Sequence, residues 1–183
     1  MDESESDRRK DPNSYLLAAA VFEDHVCDDA RAIRRDLKLK EDRKLHWHKE
    51  SHPRRRNIVS RISDLEVIHM VIVRNGRPGE RSERRRRKCL EKLFCELESA
   101  DVAKAVLEAR ERKQNLSDVQ MLQSMRSRRL LRTDFRIEHL PGPAEELLWV
   151  ADAVAGAVTA KRCGNSEFLD VLGSCLELHE IDA

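Results

Sequence analysis

The chain is poor in aromatic residues, glycine and proline. Phe, Trp and Tyr make up 4% of its 183 residues, and there are six glycines and five prolines. So few aromatic side chains argue against a platform for single-stranded nucleic acid, because such platforms stack successive bases on aromatic rings. The motifs G-x-S-x-G and G-x-x-x-x-G-K-[ST] are both absent, which excludes the usual nucleophile turn and phosphate loop.

Paired cysteines and long apolar runs are also missing. The five cysteines form no C-x-x-C pair and their number is odd. With no signal peptide in view, we expect free thiols in a reduced, cytoplasmic protein. No uninterrupted apolar run approaches the roughly 18 residues that suggest a membrane span, so we predict no membrane partner.

The net charge of +1 hides an uneven distribution. Residues 1–30 carry nine acids and three bases, and residues 163–183 carry five acids and no Lys or Arg. Residues 31–162 therefore hold 32 bases and 20 acids, a net charge of +12. A polyanionic partner such as nucleic acid is compatible with this distribution, although the overall charge suggests otherwise.

Arginine dominates the basic residues and occurs in three clusters. Arg accounts for 25 of the 35 bases, and its guanidinium group suits bidentate phosphate contacts. A high-GC genome would produce the same bias. Two clusters lie at predicted helix starts and are our candidate nucleic-acid-binding residues: Arg54, Arg55, Arg56, Arg84, Arg85, Arg86, Arg87 and Lys88. The third cluster spans residues 126–132. The five consecutive bases from Arg84 to Lys88 are distributed around the helix, so they cannot all face one ligand. The alternative to a nucleic-acid interface is therefore a solvent-exposed helix surface that binds nothing.

Apolar patterning predicts one α/β domain over residues 1–183. Strands are expected at 15–22, 67–73, 102–107 and 135–140, with a last edge strand at 175–181. Helices are expected from Asp24 to Leu37 and at 53–62, 80–100, 116–130 and 144–161. Strands and helices alternate in the second half, while the first half resembles a meander. The expected architecture is a mixed β-sheet with helices on both faces.

Four acids stand beside or within apolar elements. Asp2 and Glu3 precede the first long strand, and Glu108 directly follows the third. Asp152 lies inside the apolar helix LLWVADAVAGAV, where a carboxylate is costly unless it is paired or binds a cation. An ion pair with one of the many arginines is the structural alternative for Asp152.

Three histidines form a weaker candidate site. His46 and His48 are spaced as His-x-His, and His52 follows on the next loop, a set that could ligate a transition metal. No Asp or Cys stands at a suitable spacing to complete a zinc site. We therefore favour ordinary loop histidines.

Three segments together resemble a known family. DES at 2–4, YLLAAAVF at 15–22 and the LLWVADAVAGAV helix resemble the uncharacterised bacterial family named domain of unknown function 3800, as do KLHW and VLEAR. That resemblance implies a ribonuclease H-like fold. Nucleases of this type place acids on the first strand, at a later strand end and in the C-terminal helix. It also implies catalytic roles for Asp2, Glu3, Glu108 and Asp152.

The resemblance further implies two-metal phosphodiester hydrolysis. Asp2, Glu108 and Asp152 would hold two Mg²⁺ or Mn²⁺ ions, which prefer hard oxygen ligands. The chain departs from the family pattern in two ways: Trp149 replaces the Gln of Gln-x-x-Asp, and only Met1 precedes Asp2. Either the start codon is assigned too late or part of the first strand is missing, and a missing strand would leave Asp2 on a frayed terminus.

Three functional hypotheses follow. The first is a metal-dependent nuclease, or its degenerate relative, that acts on nucleic acid. The second is a non-catalytic nucleic-acid-binding or scaffold protein. In the third, the acidic ends dock onto a basic surface of a partner or of the chain itself, which leaves room for a homo-oligomer.

Overall fold

A computed structural model describes residues 1–5, 10–37 and 45–183. The strands in these ranges are β1 (Asp2–Glu5), β2 (Ser14–Val21), β3 (Ile68–Asn75), β4 (Lys104–Glu108), β5 (Arg136–Leu140) and β6 (Leu176–Asp182). The helices are α1 (Asp24–Leu37), α2 (His52–Ser63), α3 (Ser82–Ser99), α4 (Arg112–Ser127), α5 (Leu148–Arg162) and α6 (Glu167–Leu172). Short 3-10 turns cover Trp47–Lys49 and Gly173–Cys175.

The strands form a mixed sheet and a separate parallel pair. Strands β1, β2 and β3 make an antiparallel meander, and β6 joins β3 in parallel, giving the order β1-β2-β3-β6. Strands β4 and β5 pair in parallel with each other. The mainly apolar β3 lies inside its sheet, and β6 forms the predicted edge. A mixed sheet is thus confirmed.

Helices cover both faces of the four-stranded sheet. Leu16, Ala18, Val71 and Val73 point to one face and pack in the core that contains α5 and α6. Leu17, Ala19, Met70 and Ile72 point to the other face and pack against α3, α4 and the β4–β5 pair. This alternation follows from the twofold side-chain period of a strand. Both faces are apolar because both are covered.

The first strand differs from its prediction. The sequence suggests that Asp2 lies on a frayed terminus, but Asp2 and Glu3 belong to β1 and pair with Ala18 and Leu17 of β2. The pair is therefore held in the sheet. The sequence pattern missed this strand because its four residues are three acids and one serine, which contain no apolar signal.

The structure adds detail at two places where the sequence gives no clear prediction. The short helix α6 has no counterpart among the predicted elements, although its Phe168, Leu169 and Leu172 are buried in the core. The ambiguous segment 44–48 contributes the buried Trp47 to a 3-10 turn, while Lys44 lies outside the described residues. All five cysteines are free thiols, as expected.

Helix α5 passes close to Trp47. A Cβ atom added at Gly156 would lie 2.2 Å from the Trp47 indole, so only glycine permits this approach. Ten residues of α5 are buried, which explains its apolar composition. No helix in the described ranges combines the length and the apolar character needed to span a membrane.

Replacing Gly156 tests this packing. Glycine to alanine inside a helix normally stabilises by about 1 kcal/mol. Here we expect Gly156→Ala to destabilise by roughly 1–3 kcal/mol, because the methyl group overlaps the indole. Urea unfolding followed by circular dichroism measures the change.

A compensating variant provides the control. Combining Gly156→Ala with Trp47→Leu removes the overlap, so the double variant should lose less stability than the sum of the two single changes. Stabilisation by Gly156→Ala alone would contradict the described contact.

Candidate functional site

Three of the four predicted acids line one cavity. Asp2 and Glu3 come from β1, and Glu108 comes from the carboxyl end of β4. The cavity has a volume of about 260 Å³, and Arg86 and Arg110 complete its polar lining. Asp152 is not among the lining residues. The structure therefore brings the acids of β1 and β4 together at one cavity, but Asp152 of α5 is not part of it.

Asp2 and Glu3 serve different faces of the sheet. Successive strand side chains alternate in direction. Ser4 accepts a hydrogen bond from Thr159 of α5 at 3.4 Å. Glu3 lies on the opposite face and accepts hydrogen bonds from Arg86 at 2.5 Å and from the Tyr15 hydroxyl at 2.7 Å. Asp2 therefore lies on the side of α5, whereas Glu3 is held by ion pairing.

Asp152 caps the 3-10 turn. Its Oδ2 accepts a hydrogen bond at 3.0 Å from the backbone N–H of Trp47, whose ring packs over Gly156 one helical turn later. From the sequence, Asp152 could be either a metal ligand or the partner of an arginine. In the structure its contact is with a backbone amide.

The predicted metal set is not assembled in this arrangement. In residues 1–5, 10–37 and 45–183, no group of three or more His, Cys, Asp or Glu side chains is placed to hold a metal ion. The carboxylates Asp2, Glu108 and Asp152 thus do not fit a shared Mg²⁺ or Mn²⁺ site as they stand. Binding of Mg²⁺ or Mn²⁺ is therefore a prediction from the sequence alone.

A buried ionic cluster, which the sequence reasoning missed, connects the helices to both sheets. Asp118 of α4 accepts hydrogen bonds from both terminal nitrogens of Arg86, at 2.7 and 3.0 Å. Arg110 lies 3.4 Å from the same carboxylate, and His139 Nε2 of β5 lies 3.0 Å from it. Since Arg86 also holds Glu3, the cluster joins β1, α3, α4 and β5.

The helical spacing of apolar residues in the sequence indicates that Arg86 and Asp118 face the core. Arg86 precedes Leu90 and Leu93 by four and seven residues, so it continues the apolar stripe of α3. Asp118 likewise precedes Leu122 and Met125 of α4 by four and seven residues. A charge that heads an apolar stripe faces the core and needs a partner there.

The cluster perturbs its titratable groups. Burial acts to raise the pKa of Asp118, but the hydrogen bonds and positive charge of Arg86 outweigh it, and the pKa lies below its ordinary value. Burial and the neighbouring Glu3 carboxylate raise the pKa of Tyr15. Asp118 is therefore an anion and Tyr15 a neutral hydrogen-bond donor at physiological pH.

The five consecutive bases of α3 separate into different environments. Arg86 is 4% exposed, so its prediction as a phosphate-binding residue is corrected: its guanidinium group is committed to Asp118 and Glu3. Arg84, Arg87 and Lys88 are exposed and share one helix face. Arg85 is half-buried. The 3.6-residue period of the helix causes this separation.

Two of the three basic clusters meet on one surface. Lys88 of α3 lies 3.0 Å from Glu91, and Arg128 at the end of α4 lies 3.4 Å from the same carboxylate. We call Arg84, Arg87, Lys88 and Arg128 the α3–α4 basic surface. Each of these four side chains is exposed, so they form one solvent-facing cationic region.

The α2 arginines are engaged within the protein. Arg54 pairs with Glu50, and Arg55 donates to the carbonyl oxygen of Trp47 at 3.0 Å and lies over the Trp47 ring. Arg56 pairs with Glu167. These partners fix α2 against its neighbours, and Arg56 remains the most accessible of the three at 64% exposure.

The candidate histidine set does not come together. His52 Nε2 lies 2.9 Å from Glu167, and its ring packs against Phe168. His46 precedes the 3-10 turn that contains His48. His52 therefore lies at the start of α2 and not on a loop, in contact with Glu167 and Phe168.

The acidic ends pair with bases of the same chain. Arg162 holds Asp11, which follows the N-terminal strand, and Glu180 of β6 at 3.3 Å. Asn75 donates a hydrogen bond to Glu180 at 2.9 Å. At these contacts the basic surface that receives the acids is the chain's own.

Comparison with family models, curated proteins and solved structures finds no match.

Removal of the Asp118 charge tests the buried cluster. Asp118→Asn removes the bidentate partner of Arg86 but leaves it the Glu3 carboxylate. Breaking a buried pair costs about 3–5 kcal/mol when the remaining charge has no other partner, so we expect a loss below about 5 kcal/mol at neutral pH in chemical unfolding. Asp101→Asn is the matched control: Asp101 pairs with Arg132 at the surface, and Asn tolerates its positive φ. Its effect should be much smaller.

The difference between wild type and Asp118→Asn should depend on pH. The folded pKa of Asp118 is lowered, so its stabilising effect is complete above the unfolded value of about 4 and is lost as the pH falls through the folded value. The difference in stability should therefore start to shrink as the pH falls below about 4 and continue to shrink toward the lower folded pKa. A constant difference down to pH 2 would contradict the assigned ion pair.

Proposed function

We propose that this chain is a nucleic-acid-binding domain of the ribonuclease H-like type, which contacts the phosphate backbone through the α3–α4 basic surface. The observation that carries the proposal is the meeting of two separate basic clusters beside Glu91. Exposed guanidinium and ammonium groups at neighbouring positions can neutralise successive phosphates.

The ribonuclease H-like assignment rests on the placement of the acids. Asp2 and Glu3 lie on β1, Glu108 ends β4, and Asp152 lies within α5. This is the order of elements that the resemblance implies. The mixed sheet with helices on both faces is compatible with the same assignment.

Backbone contact fits this surface better than base readout. The α3–α4 basic surface contains no aromatic side chain on which a base could stack. Charge contacts to phosphate are largely independent of sequence and weaken steeply with salt. We therefore expect duplexes of different sequence to bind with similar affinity.

A charge-removal variant tests the interface. In the triple variant Arg87→Gln, Lys88→Gln and Arg128→Gln, the logarithm of affinity should depend less steeply on the logarithm of salt concentration, by about 0.9 for each lost phosphate contact. Fluorescence anisotropy with labelled DNA and RNA duplexes between about 50 and 200 mM salt measures this slope.

A matched triple variant controls for net charge. Lys49→Gln, Arg61→Gln and Lys161→Gln remove the same charge from the region of α2 and α5. Equal loss of binding in both triple variants would show that affinity depends on the net charge of the protein and not on the α3–α4 basic surface. No binding by the wild type to either duplex at low salt would end the proposal.

Phosphodiester hydrolysis is the second candidate function. Asp2, Glu3 and Glu108 line one cavity beside Arg86 and Arg110, which favours a site for a polar ligand. Hydrolysis is separated from binding by assaying cleavage with Mg²⁺ or Mn²⁺ for the wild type, Glu108→Gln and Asp152→Asn. If none of them cleaves any substrate that the wild type binds, hydrolysis is abandoned and binding stands.

A further inference from the structure

A carboxylate lies inside the α3–α4 basic surface. Glu91 follows Lys88 on α3, and its Oε2 lies 3.0 Å from the Lys88 Nζ. Its Oε1 lies 3.4 Å from Nη1 of Arg128, at the end of α4. The two oxygens of one carboxylate thus face two cations that come from different helices. The surface that would receive phosphate therefore already holds an anion of its own.

The two cations are more accessible than the carboxylate between them. The Glu91 side chain is 28% exposed, compared with 49% for Lys88 and 60% for Arg128. On α3, Glu91 also continues the helix face of Arg84, Arg87 and Lys88, because these positions are spaced as i, i+3, i+4 and i+7. A phosphate that approaches this face from solvent therefore meets the cations with Glu91 beside them.

A neighbouring arginine shows a more complete neutralisation. Glu98 lies two helical turns after Glu91 on α3 and pairs with Arg132 at 3.5 Å. Arg132 pairs with Asp101 and Asp134 as well, so three carboxylates surround one guanidinium group. By contrast, the single carboxylate of Glu91 is shared between two cations. Glu91 thus lowers the positive charge of the basic surface without cancelling it.

Glu91 competes with phosphate at a high effective concentration because it is part of the chain. A tethered group meets its partner at an effective concentration on the order of millimolar. A single free anion must reach a similar concentration to displace Glu91 from Lys88 and Arg128. A duplex carries many phosphates on one backbone, so it can also contact Arg84 and Arg87 at the same time. Ligands with several phosphates therefore tolerate this competition better than isolated anions.

We propose that Glu91 is a specificity-determining residue of the α3–α4 basic surface, which excludes isolated anions and admits ligands that carry several phosphates on one backbone. The inference rests on the proposed binding of duplexes at this surface. Glu91 repels a bound phosphate and retains part of the interaction with Lys88 and Arg128. It therefore also lowers the affinity for the duplex that it admits.

The variant Glu91→Gln tests the effect on duplex binding. Glutamine keeps the size of the side chain and removes its charge. Affinity at low salt should rise by roughly two- to fivefold, the effect of one unit charge at about 4 Å in water. The dependence of log affinity on log salt concentration should steepen by up to about 0.9, the value for one further phosphate contact. Fluorescence anisotropy measures both, and circular dichroism establishes that the variant is folded.

Two comparisons separate a local effect from net charge. Asp36 of α1 pairs with Arg61 of α2 at 3.6 Å, and both helices pack on the α5 side of the sheet. Asp36→Asn removes the same charge from another surface pair between helices and should change duplex affinity little. In a protein that carries Lys88→Gln and Arg128→Gln, the effect of Glu91→Gln should largely disappear, because the cations that it contacts are gone.

Inorganic phosphate is the probe for an isolated anion. At constant ionic strength, backbone amide NMR shifts of residues 84–91 and 126–130 report its binding. We expect no saturable shift in the wild type at millimolar phosphate, because Glu91 occupies Lys88 and Arg128. In Glu91→Gln the shifts should become saturable. The gain from removal of the charge should thus be larger for phosphate than for the duplex.

A measurement on the wild type tests the role of Glu91 without any variant. Burial acts to raise the pKa of Glu91, but the hydrogen bond and charge of Lys88, together with those of Arg128, hold it below its ordinary value. The nearby Cys95 thiol stays neutral in this pH range, because burial raises its pKa. A duplex phosphate adds negative charge beside Glu91, so saturating duplex should raise the pKa of Glu91. Carbon-13 NMR of the carboxyl group measures the shift.

Several outcomes would overturn the role of Glu91 and leave duplex binding intact. These are an unchanged duplex affinity in Glu91→Gln, an equal gain in Asp36→Asn, and equal phosphate binding by the wild type and Glu91→Gln. An unchanged pKa of Glu91 in the duplex complex would also overturn it. If neither the wild type nor Glu91→Gln binds a duplex at low salt, the proposed function fails, and the role of Glu91 fails with it.

Discussion

The ion pair between Arg86 and Asp118 is the contact on which the arrangement of both sheets depends. It connects α3 to α4 through two hydrogen bonds, and its extensions reach Glu3 of β1 and His139 of β5. In the described residues the β4–β5 pair forms no strand ladder with the larger sheet. Separating a buried charge pair leaves an uncompensated charge in the core, so this pair favours one mutual position of the two layers.

The same ion pair shows why two adjacent charges in one run can have opposite roles. Arg86 and Arg87 are neighbours in sequence, yet one is buried and the other is exposed. A helix turns by about 100° per residue, so a basic run is distributed around its circumference. The density of charge along the sequence therefore overestimates the density of charge on a surface.

Elements with strong apolar periodicity could be predicted from the sequence. The buried strand β3, the stripe of α3 and the edge strand β6 all carry such a pattern, and all were confirmed. Strand β1 has no apolar residue, so only its pairing with β2 reveals it. The placement of Glu108 at a strand end could be predicted. The partner of Asp152 could not, because the N–H of Trp47 belongs to a turn 105 residues away.

Both tryptophans, Trp47 and Trp149, lie in the core on the α5 side of the sheet. The opposite core contains Tyr15, Phe94 and Phe135 but no tryptophan. Intrinsic tryptophan emission therefore reports on the unfolding of the α5 side of the protein. It responds little to changes in the half that contains α3 and α4. If the two layers separate before they unfold, emission and circular dichroism will give different transition midpoints, and the difference will report how cooperatively the layers are joined.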